Sequence, residues 1–334
     1  MTKSQNSSLL DRERSRRSPV SYCTYYRNIL VQNRTQALAL INDTKLKFPS
    51  LYLLIQEIID FNLFSGLNTR NITALKIYTD VFHNQNLSTK LYSYVITKGF
   101  FEQQVLRWMF HTGHKWQGPK EEFDDYDALM DATAAILIKK YQDKSILPSV
   151  VNLIFQRNRN NLFIHNLVWS FFQSYDPNSF KLITRYILSV NQKDRELAAK
   201  LLHLNTPHDP SQRQRAVDSY RSWISENKPY LYFTEEHFQS SSAPNPLAVD
   251  LEAKYFSKEV SPRHKKPLQP YTQDELQSLR TFHQLPNKEK EMLATYSHRL
   301  HQKNLHLWKQ WMDHNIDEQI KLVKARLNHP NDND

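Results

Sequence analysis

The most regular stretch of this sequence is residues 147–204, LPSVVNLIFQRNRNNLFIHNLVWSFFQSYDPNSFKLITRYILSVNQKDRELAAKLLHL. Its apolar residues recur at intervals of three and four, which is the spacing of one face of an α-helix. Asp176-Pro177 marks a helix start, because Asp caps the first turn and Pro lacks only an N–H that would be unpaired there. The pattern predicts short helices with brief connections, at about 147–157, 161–174, 177–190 and 194–204.

Glycine is scarce, with four residues in 334 and none after Gly118. An average chain contains about 7% glycine. Glycine supplies left-handed turns and the backbone of phosphate-binding loops, so its scarcity disfavours hairpin-rich β folds, Rossmann domains and P-loops. Neither GxGxxG nor GxxxxGK[ST] occurs. The sequence therefore predicts an all-α protein whose helices are joined by Asn, Asp and Pro.

The paired helices 147–157/161–174 and 177–190/194–204 resemble the helical-hairpin solenoids of the HEAT and armadillo kind. The resemblance concerns the fold alone, covers about residues 20–227 and has no exact period. It implies an irregular stack of helical hairpins with one concave surface. Such stacks usually work by binding, so the resemblance implies an interaction module.

Changes in composition divide the chain into five predicted parts. Residues 1–18 are polar and basic and are predicted to be a disordered tail, and 19–227 are predicted to be the solenoid-like domain. Six prolines and several aromatic residues mark 228–270, which is too apolar for a free linker. We expect this segment to bridge across the solenoid surface. A C-terminal helical hairpin is predicted over 271–328, followed by a loose tail over 329–334.

The predicted C-terminal hairpin opens with the capping box Thr272-Gln-Asp-Glu275. A long pattern with a narrow apolar seam follows over about 288–328, and it resembles one face of a coiled coil. The seam consists of Leu305, Trp308, Met312, Ile316, Ile320, Val323 and Leu327. Such a seam either packs back on the chain or forms a dimer through 288–328, and the spacing leaves both open.

The formal net charge is +10, which admits nucleic acid, an anionic membrane or an acidic protein as partner. The charge is spread along the chain, so a solvated basic surface is the simpler interpretation. No secretory signal is visible, and no run of about 18 apolar residues predicts a membrane span. With a single cysteine, Cys23, the sequence favours a cytoplasmic or otherwise intracellular protein.

Signals for a metal site are weak. His298 and His301 are three residues apart with His306 nearby. His111 and His114 precede a group of carboxylates, namely Asp124, Asp125, Asp127 and Asp131. Neither HExxH nor the paired Glu-x-x-His motifs of di-iron bundles occur. These histidines are therefore interpreted as structural or surface residues, and neither a metal nor another cofactor is predicted.

Signals for catalysis are equally few. Cys23 lies on a predicted core helix, where a free cysteine usually packs as a small apolar residue. No GxSxG nucleophile motif occurs. Glu57 and Asp60 are placed on the polar edge of a helix rather than in an acid–base pair. The sequence predicts no catalytic residue, and an enzyme of unrecognised type is kept as the third hypothesis.

The first hypothesis is a non-enzymatic interaction or scaffold module that binds a protein or peptide on the solenoid surface. Aromatic residues dominate binding hot spots. The candidates lie in the segment after residue 228 and on the seam helix: Tyr230, Tyr232, Phe233, Phe238, Trp308 and Trp311.

The second hypothesis is a helical-repeat protein that binds DNA or RNA. Residues 157–161, RNRNN, form a basic and amide-rich connection that could contact phosphates. Three further arginines are interleaved with Tyr220 and Trp223 on one predicted helix. The candidates are Arg157, Arg159, Arg213, Arg215 and Arg221.

Overall fold

The computed structural model describes residues 7–82, 99–116, 123–205, 209–238, 241 and 244–328. The chain divides into two compact units, Met1–Ser174 and Tyr175–Asp334. The division falls inside the 19–227 segment that the sequence predicted as one domain. Tyr175 has a left-handed backbone (φ 48°), and Asp176 then caps a new helical turn at Pro177. The left-handed turn at this boundary is therefore made without glycine.

The regular elements in the described residues of the first unit are helices. Side chains of Ser18, Asn33 and Asn68 cap three of its helices by accepting a hydrogen bond from a backbone N–H of the first turn. The α-helices are Leu9–Arg16, Pro19–Gln32, Arg34–Ile41, Phe48–Tyr52, Ile55–Asp60, Thr69–Val81, Gly99–Gly113, Phe123–Lys139, Leu147–Arg159 and His165–Phe172.

Within the predicted disordered tail over 1–18, residues 9–16 form a helix, and residues 1–6 lie outside the described residues. Ser8 and Asp11 make a capping box at its start. Leu10 is completely buried, and the Asp11 carboxylate also accepts hydrogen bonds from the Ser50 hydroxyl at 2.6 Å and the Lys47 N–H at 3.2 Å. These contacts lie far along the chain, so the polar composition of 1–18 did not reveal them.

The second unit combines helices with one small sheet. Its α-helices are Phe180–Thr184, Gln192–Leu202, Pro210–Asn227, Leu251–Tyr255, Gln273–Gln284, Asn287–Lys303, Leu305–Met312 and Ile316–Asn328. Strands β1 (Leu231–Phe233) and β2 (Leu247–Val249) pair antiparallel, with Phe233 opposite Leu247. The predicted all-α class is confirmed. The solenoid arrangement stays a prediction.

The C-terminal part differs from the predicted two-helix hairpin, because it contains four helices. The predicted capping box is present, with Thr272 accepting from the Glu275 N–H. Asn304, which is extended, ends one helix and caps the next, and so interrupts the long seam. The helices pack around a shared apolar core of Tyr255, Phe256, Leu279, Phe282, Leu293, Ala294, Trp311, Ile316 and Val323. Ile316 and Val323 of the seam thus pack within this unit.

Left-handed backbone is supplied by residues other than glycine. No described glycine has a positive φ. Eight other residues do: Asn62, Gln142, Asn161, Tyr175, His203, Glu235, Ser257 and Lys265. A left-handed backbone costs an L-residue with a Cβ roughly 1–2 kcal/mol, so these turns carry the cost of the chain's glycine shortage.

Candidate functional site

A mostly apolar pocket of about 540 Å³ lies within the second unit. Its walls come from the end of the Gln192–Leu202 helix, from the Pro210–Asn227 helix and from the residues that lead into β2. The lining residues are Phe180, Leu201, Leu202, His203, Leu204, Ala216, Ser219, Tyr220, Trp223, Asn245, Pro246 and Leu247. Ligand-binding cavities in proteins typically measure about 300–1,000 Å³.

One wall follows from the helical spacing of the Pro210–Asn227 helix. Ala216, Tyr220 and Trp223 are separated by four and three residues, so they share a face. Val217 follows Ala216, and Ile224 follows Trp223. Both are fully buried, and they anchor a neighbouring face of the helix in the core. The helix therefore has an apolar stripe wide enough both to pack against the core and to line a cavity.

The Tyr220 and Trp223 rings stack in this wall, with centroids 5.7 Å apart and planes inclined by 28°. Among the described residues, no group hydrogen-bonds to the Tyr220 hydroxyl. Burial raises the pKa of that hydroxyl far above its usual value, so it stays protonated at neutral pH. The Tyr220 hydroxyl is thus a hydrogen-bond donor within the mostly apolar lining of the pocket.

Another wall is formed by residues 245–247, which several polar contacts hold in place. The Asn245 N–H donates to the Glu236 carboxylate at 2.8 Å, and the Thr234 N–H donates to the Pro246 carbonyl at 3.1 Å. His203, in a left-handed conformation that ends the Gln192–Leu202 helix, donates its Nε2–H to the Pro244 carbonyl. This segment is therefore fixed beside the pocket by contacts from the residues that follow β1 and from the helix end.

Most aromatic candidates from the sequence lie in or against the protein core. Tyr230 (3% exposed), Phe233 (5%) and Trp311 (5%) are buried, and the Trp308 Nε1–H donates to the Ser297 hydroxyl at 2.8 Å. The remaining two lie under cations, with Lys265 over the Tyr232 ring and Lys200 over the Phe238 ring. None of the six residues lines the pocket.

The arginine candidates are dispersed. Arg157 is buried and pairs with Asp131 at 2.6 Å and with Asp127 at 3.0 Å, so its charge is compensated internally. Arg159 and Arg215 are exposed, Arg213 is partly buried, and the Arg221 Nε–H donates to the Thr184 hydroxyl at 3.1 Å. Arg157 and Arg221 are thus engaged by partners within their own units.

A second group of buried polar side chains surrounds His298. The Tyr230 hydroxyl and the His298 Nδ1 are 3.0 Å apart, and Lys254 donates to the Asn227 side-chain oxygen at 2.7 Å. Burial lowers the pKa values of both His298 and Lys254. These hydrogen bonds join buried polar side chains to one another, and in the described residues no set of three His, Cys, Asp or Glu side chains converges as a metal site.

Comparison with protein-family models, with curated proteins and with solved structures gave no match. The pocket is therefore interpreted from its own chemistry. None of the pocket residues was among the site candidates from the sequence, although the spacing of Ala216, Tyr220 and Trp223 beside Val217 and Ile224 indicates a helix with a wide apolar face. In the part of the chain that the structure describes, no helix has the length and apolar character needed to cross a membrane.

Proposed function

We propose that this chain is a protein-interaction module that receives an apolar or aromatic side chain of a peptide or protein partner in the pocket beside Tyr220 and Trp223. The observation that carries the proposal is the pocket itself, with its apolar walls and stacked aromatic pair. Binding hot spots are typically aromatic anchors seated in such desolvated pockets. The resemblance to helical-hairpin proteins, which bind through exposed surfaces, supports the same class of function.

The rim favours a peptide over a purely apolar small molecule. Asn245 is exposed at the rim, and its backbone is held by Thr234 and Glu236. A carboxamide carries both a donor and an acceptor, which matches the N–H and C=O of a peptide backbone. Ser219 adds an exposed hydroxyl on the opposite side. The bound side chain would fill the cavity while its backbone pairs at the rim.

A peptide-display selection on the full chain tests the proposal. Peptides selected from a random library should share one aromatic or large aliphatic residue. Their affinity should be measured by calorimetry for the original protein and for two variants. Ala216→Trp fills the pocket from the wall that Ala216 shares with Tyr220 and Trp223. Ser222→Trp adds the same side chain at an exposed position of the same helix, outside the pocket.

The expected result is a loss of at least about ten-fold in affinity for Ala216→Trp, which corresponds to about 1.4 kcal/mol. Ser222→Trp should bind within about two-fold of the original, since it leaves the cavity open. Selected peptides without a common apolar residue, or equal affinities for both variants, would count against the pocket as the binding site. A correct fold of both variants is checked by circular dichroism.

A further inference from the structure

A second surface of the same unit has a different chemistry. Residues 261–267, SPRHKKP, form a turn that we call the basic turn, and its side chains Arg263, His264, Lys265 and Lys266 are all exposed. The Ser261 N–H donates to the Lys266 carbonyl at 2.8 Å, and the Lys265 N–H donates to the Ser261 carbonyl at 3.0 Å. A backbone bridge between Val260 and Pro267 closes its base. The turn is thus an ordered loop that displays four basic side chains in succession.

The basic turn is attached to β1 at the edge opposite β2. The Phe233 N–H donates to the Pro262 carbonyl at 2.8 Å, and the Val260 N–H donates to the Pro229 carbonyl at 2.8 Å. Residues 230 and 234 make their backbone hydrogen bonds on the β2 side, to residues 250 and 246. The pocket and the basic turn are therefore separate surfaces on the two sides of β1.

Aromatic rings position two of the cations. The Arg263 guanidinium carbon lies 5.2 Å from the centre of the Tyr175 ring, and the Lys265 Nζ lies 4.8 Å from the centre of the Tyr232 ring. Cation–π contacts of this kind hold a cation without neutralising it. An arginine stacked on a ring still presents N–H groups at its edge, which bind phosphate oxygens in pairs.

The charge of the turn is uncompensated within the described residues. None of its four basic side chains makes an ion pair or a side-chain hydrogen bond to them. The carboxylate of Asp250, which Lys265 influences electrostatically, is buried and accepts from the Ala253 N–H at 2.9 Å. By contrast, Lys258, just before the turn, pairs with Glu275 at 2.8 Å. The turn is therefore a place where positive charge is kept available to an external anion.

We propose that the basic turn binds the phosphates of single-stranded nucleic acid. Sites for single strands combine a basic track with aromatic residues, and Tyr175 and Tyr232 lie directly beneath the cations here. Polybasic segments that hold a membrane surface typically contain about 4–8 Lys or Arg, whereas this turn has two lysines and one arginine besides His264. Cations that are held in place by rings also suit the separate phosphates of a nucleic-acid strand better than they suit the diffuse charge of a membrane surface.

The test is fluorescence anisotropy with labelled oligo-uridylate and oligothymidylate of about 20 nucleotides, titrated at salt concentrations from about 50 to 200 mM. The turn variant is Arg263→Gln/Lys265→Asn/Lys266→Gln. Asn is chosen at position 265 because φ is 53° there and Asn tolerates the left-handed region. The control is Arg280→Gln/Lys309→Gln/Lys321→Gln, which removes the same number of Arg and Lys from exposed positions of the same unit.

The turn variant should weaken binding at least about ten-fold at low salt and lower the salt slope by about 2, as expected for three phosphates of a single strand. The control should stay within about three-fold, and Ala216→Trp should bind the oligonucleotides unchanged, since the pocket is a separate surface. Equal losses in both triple variants, or no binding by the original protein at low salt, would overturn the proposal. The proposal would also be overturned if the turn variant no longer bound anionic vesicles but still bound the oligonucleotides. That result would assign the turn to a lipid surface.

Discussion

The ring of Trp223 stacks on the ring of Tyr220 one helical turn earlier, and both rings line the same pocket. The next residue, Ile224, is fully buried, whereas Trp223 is 36% exposed. Adjacent positions of one helix therefore serve different purposes. Ile224 fixes the helix in the core, and Trp223 completes the wall of a cavity.

This separation predicts losses of stability of different size for two neighbouring substitutions. Ile224→Ala should lower the free energy of unfolding by about 2–5 kcal/mol, because it removes fully packed methyl and methylene groups. Trp223→Ala should cost less, about 1–2 kcal/mol, since part of the ring already faces water. Urea denaturation measures both values.

Binding of a display-selected peptide should show the reverse order. Trp223→Ala should lower the affinity at least about ten-fold, because truncation removes an aromatic hot spot. Ile224→Ala should bind within about three-fold at a temperature where it is folded, since its side chain lies outside the cavity. A similar loss of peptide affinity in both variants would mean that Trp223 and Ile224 do not have separate roles in binding and in core packing.

Arg157 gives a second prediction, since its guanidinium is buried between two carboxylates. Arg157→Gln leaves Asp131 without its ionic partner in the protein interior and should lower the free energy of unfolding by about 3–5 kcal/mol. Arg159→Gln, at the exposed end of the same helix, should change it by less than about 1 kcal/mol, the usual size of an interaction made by an exposed charged side chain. Urea denaturation at pH 7 compares the two variants with the original protein.

The double variant Arg157→Met/Asp131→Leu distinguishes two causes of destabilisation. One is the loss of the ion pair, and the other is a buried Asp131 carboxylate without its partner. Buried ion pairs are often replaceable by apolar residues of similar volume with little loss of stability. The double variant should therefore be more stable than Arg157→Gln alone. If it is less stable, the ion pair itself contributes net stability, and the isolated-charge explanation of Arg157→Gln fails.

Features that depend on residues close together in the sequence could be predicted, whereas contacts between residues far apart in the sequence could not. Helix spacing and local caps are short-range, so the pattern predicted the all-α class and the capping box Thr272–Glu275 correctly. The arginine at 157 looked like part of a basic loop, because its partners Asp127 and Asp131 come from an earlier helix. The charges of neighbouring residues do not show which residues far along the chain will form an ion pair.

The aromatic segment after residue 228 shows the same limit. Alternation along β1 predicts that Leu231 and Phe233 share one face, but not whether that face meets the core or a partner. In the structure Phe233 packs against Phe180, with ring centroids 5.9 Å apart. The pocket itself needs Leu201, Tyr220 and Pro246 to meet from three segments, and no spacing within one segment encodes that meeting.

A third prediction concerns the pH dependence of stability through His298. Burial, followed by repulsion from Lys254, lowers the pKa of this histidine below its usual 6.5, although Glu226 acts in the opposite direction. The folded state therefore favours the neutral imidazole. As the pH falls below 6.5, the unfolded chain binds a proton first, so the free energy of unfolding decreases until the pH reaches the lower pKa of the folded state.

His298→Asn is the matching variant, because the Asn side chain can still meet the Tyr230 hydroxyl at the place of Nδ1 but does not titrate. The stability difference between the original protein and this variant should shrink as the pH is lowered from 7 to 5. Urea denaturation across that range, at constant ionic strength, gives the difference directly. A difference that is constant with pH would show that His298 has the same proton affinity in the folded and unfolded chains.

The fourth prediction uses the left-handed turns that the chain builds without glycine. Glu235 is exposed, has a φ of 65°, and its side chain makes no hydrogen bond or ion pair within the described residues. Glu235→Gly should raise the free energy of unfolding by about 0.5–1 kcal/mol, because relief of a left-handed strain of about 1–2 kcal/mol exceeds the extra chain entropy that glycine loses on folding. Glu235→Ala keeps the strain and removes the same carboxylate, so it should not stabilise the protein. Thermal and urea unfolding of the two variants side by side distinguish backbone relief from an effect of charge, and stabilisation by both would assign the gain to the carboxylate.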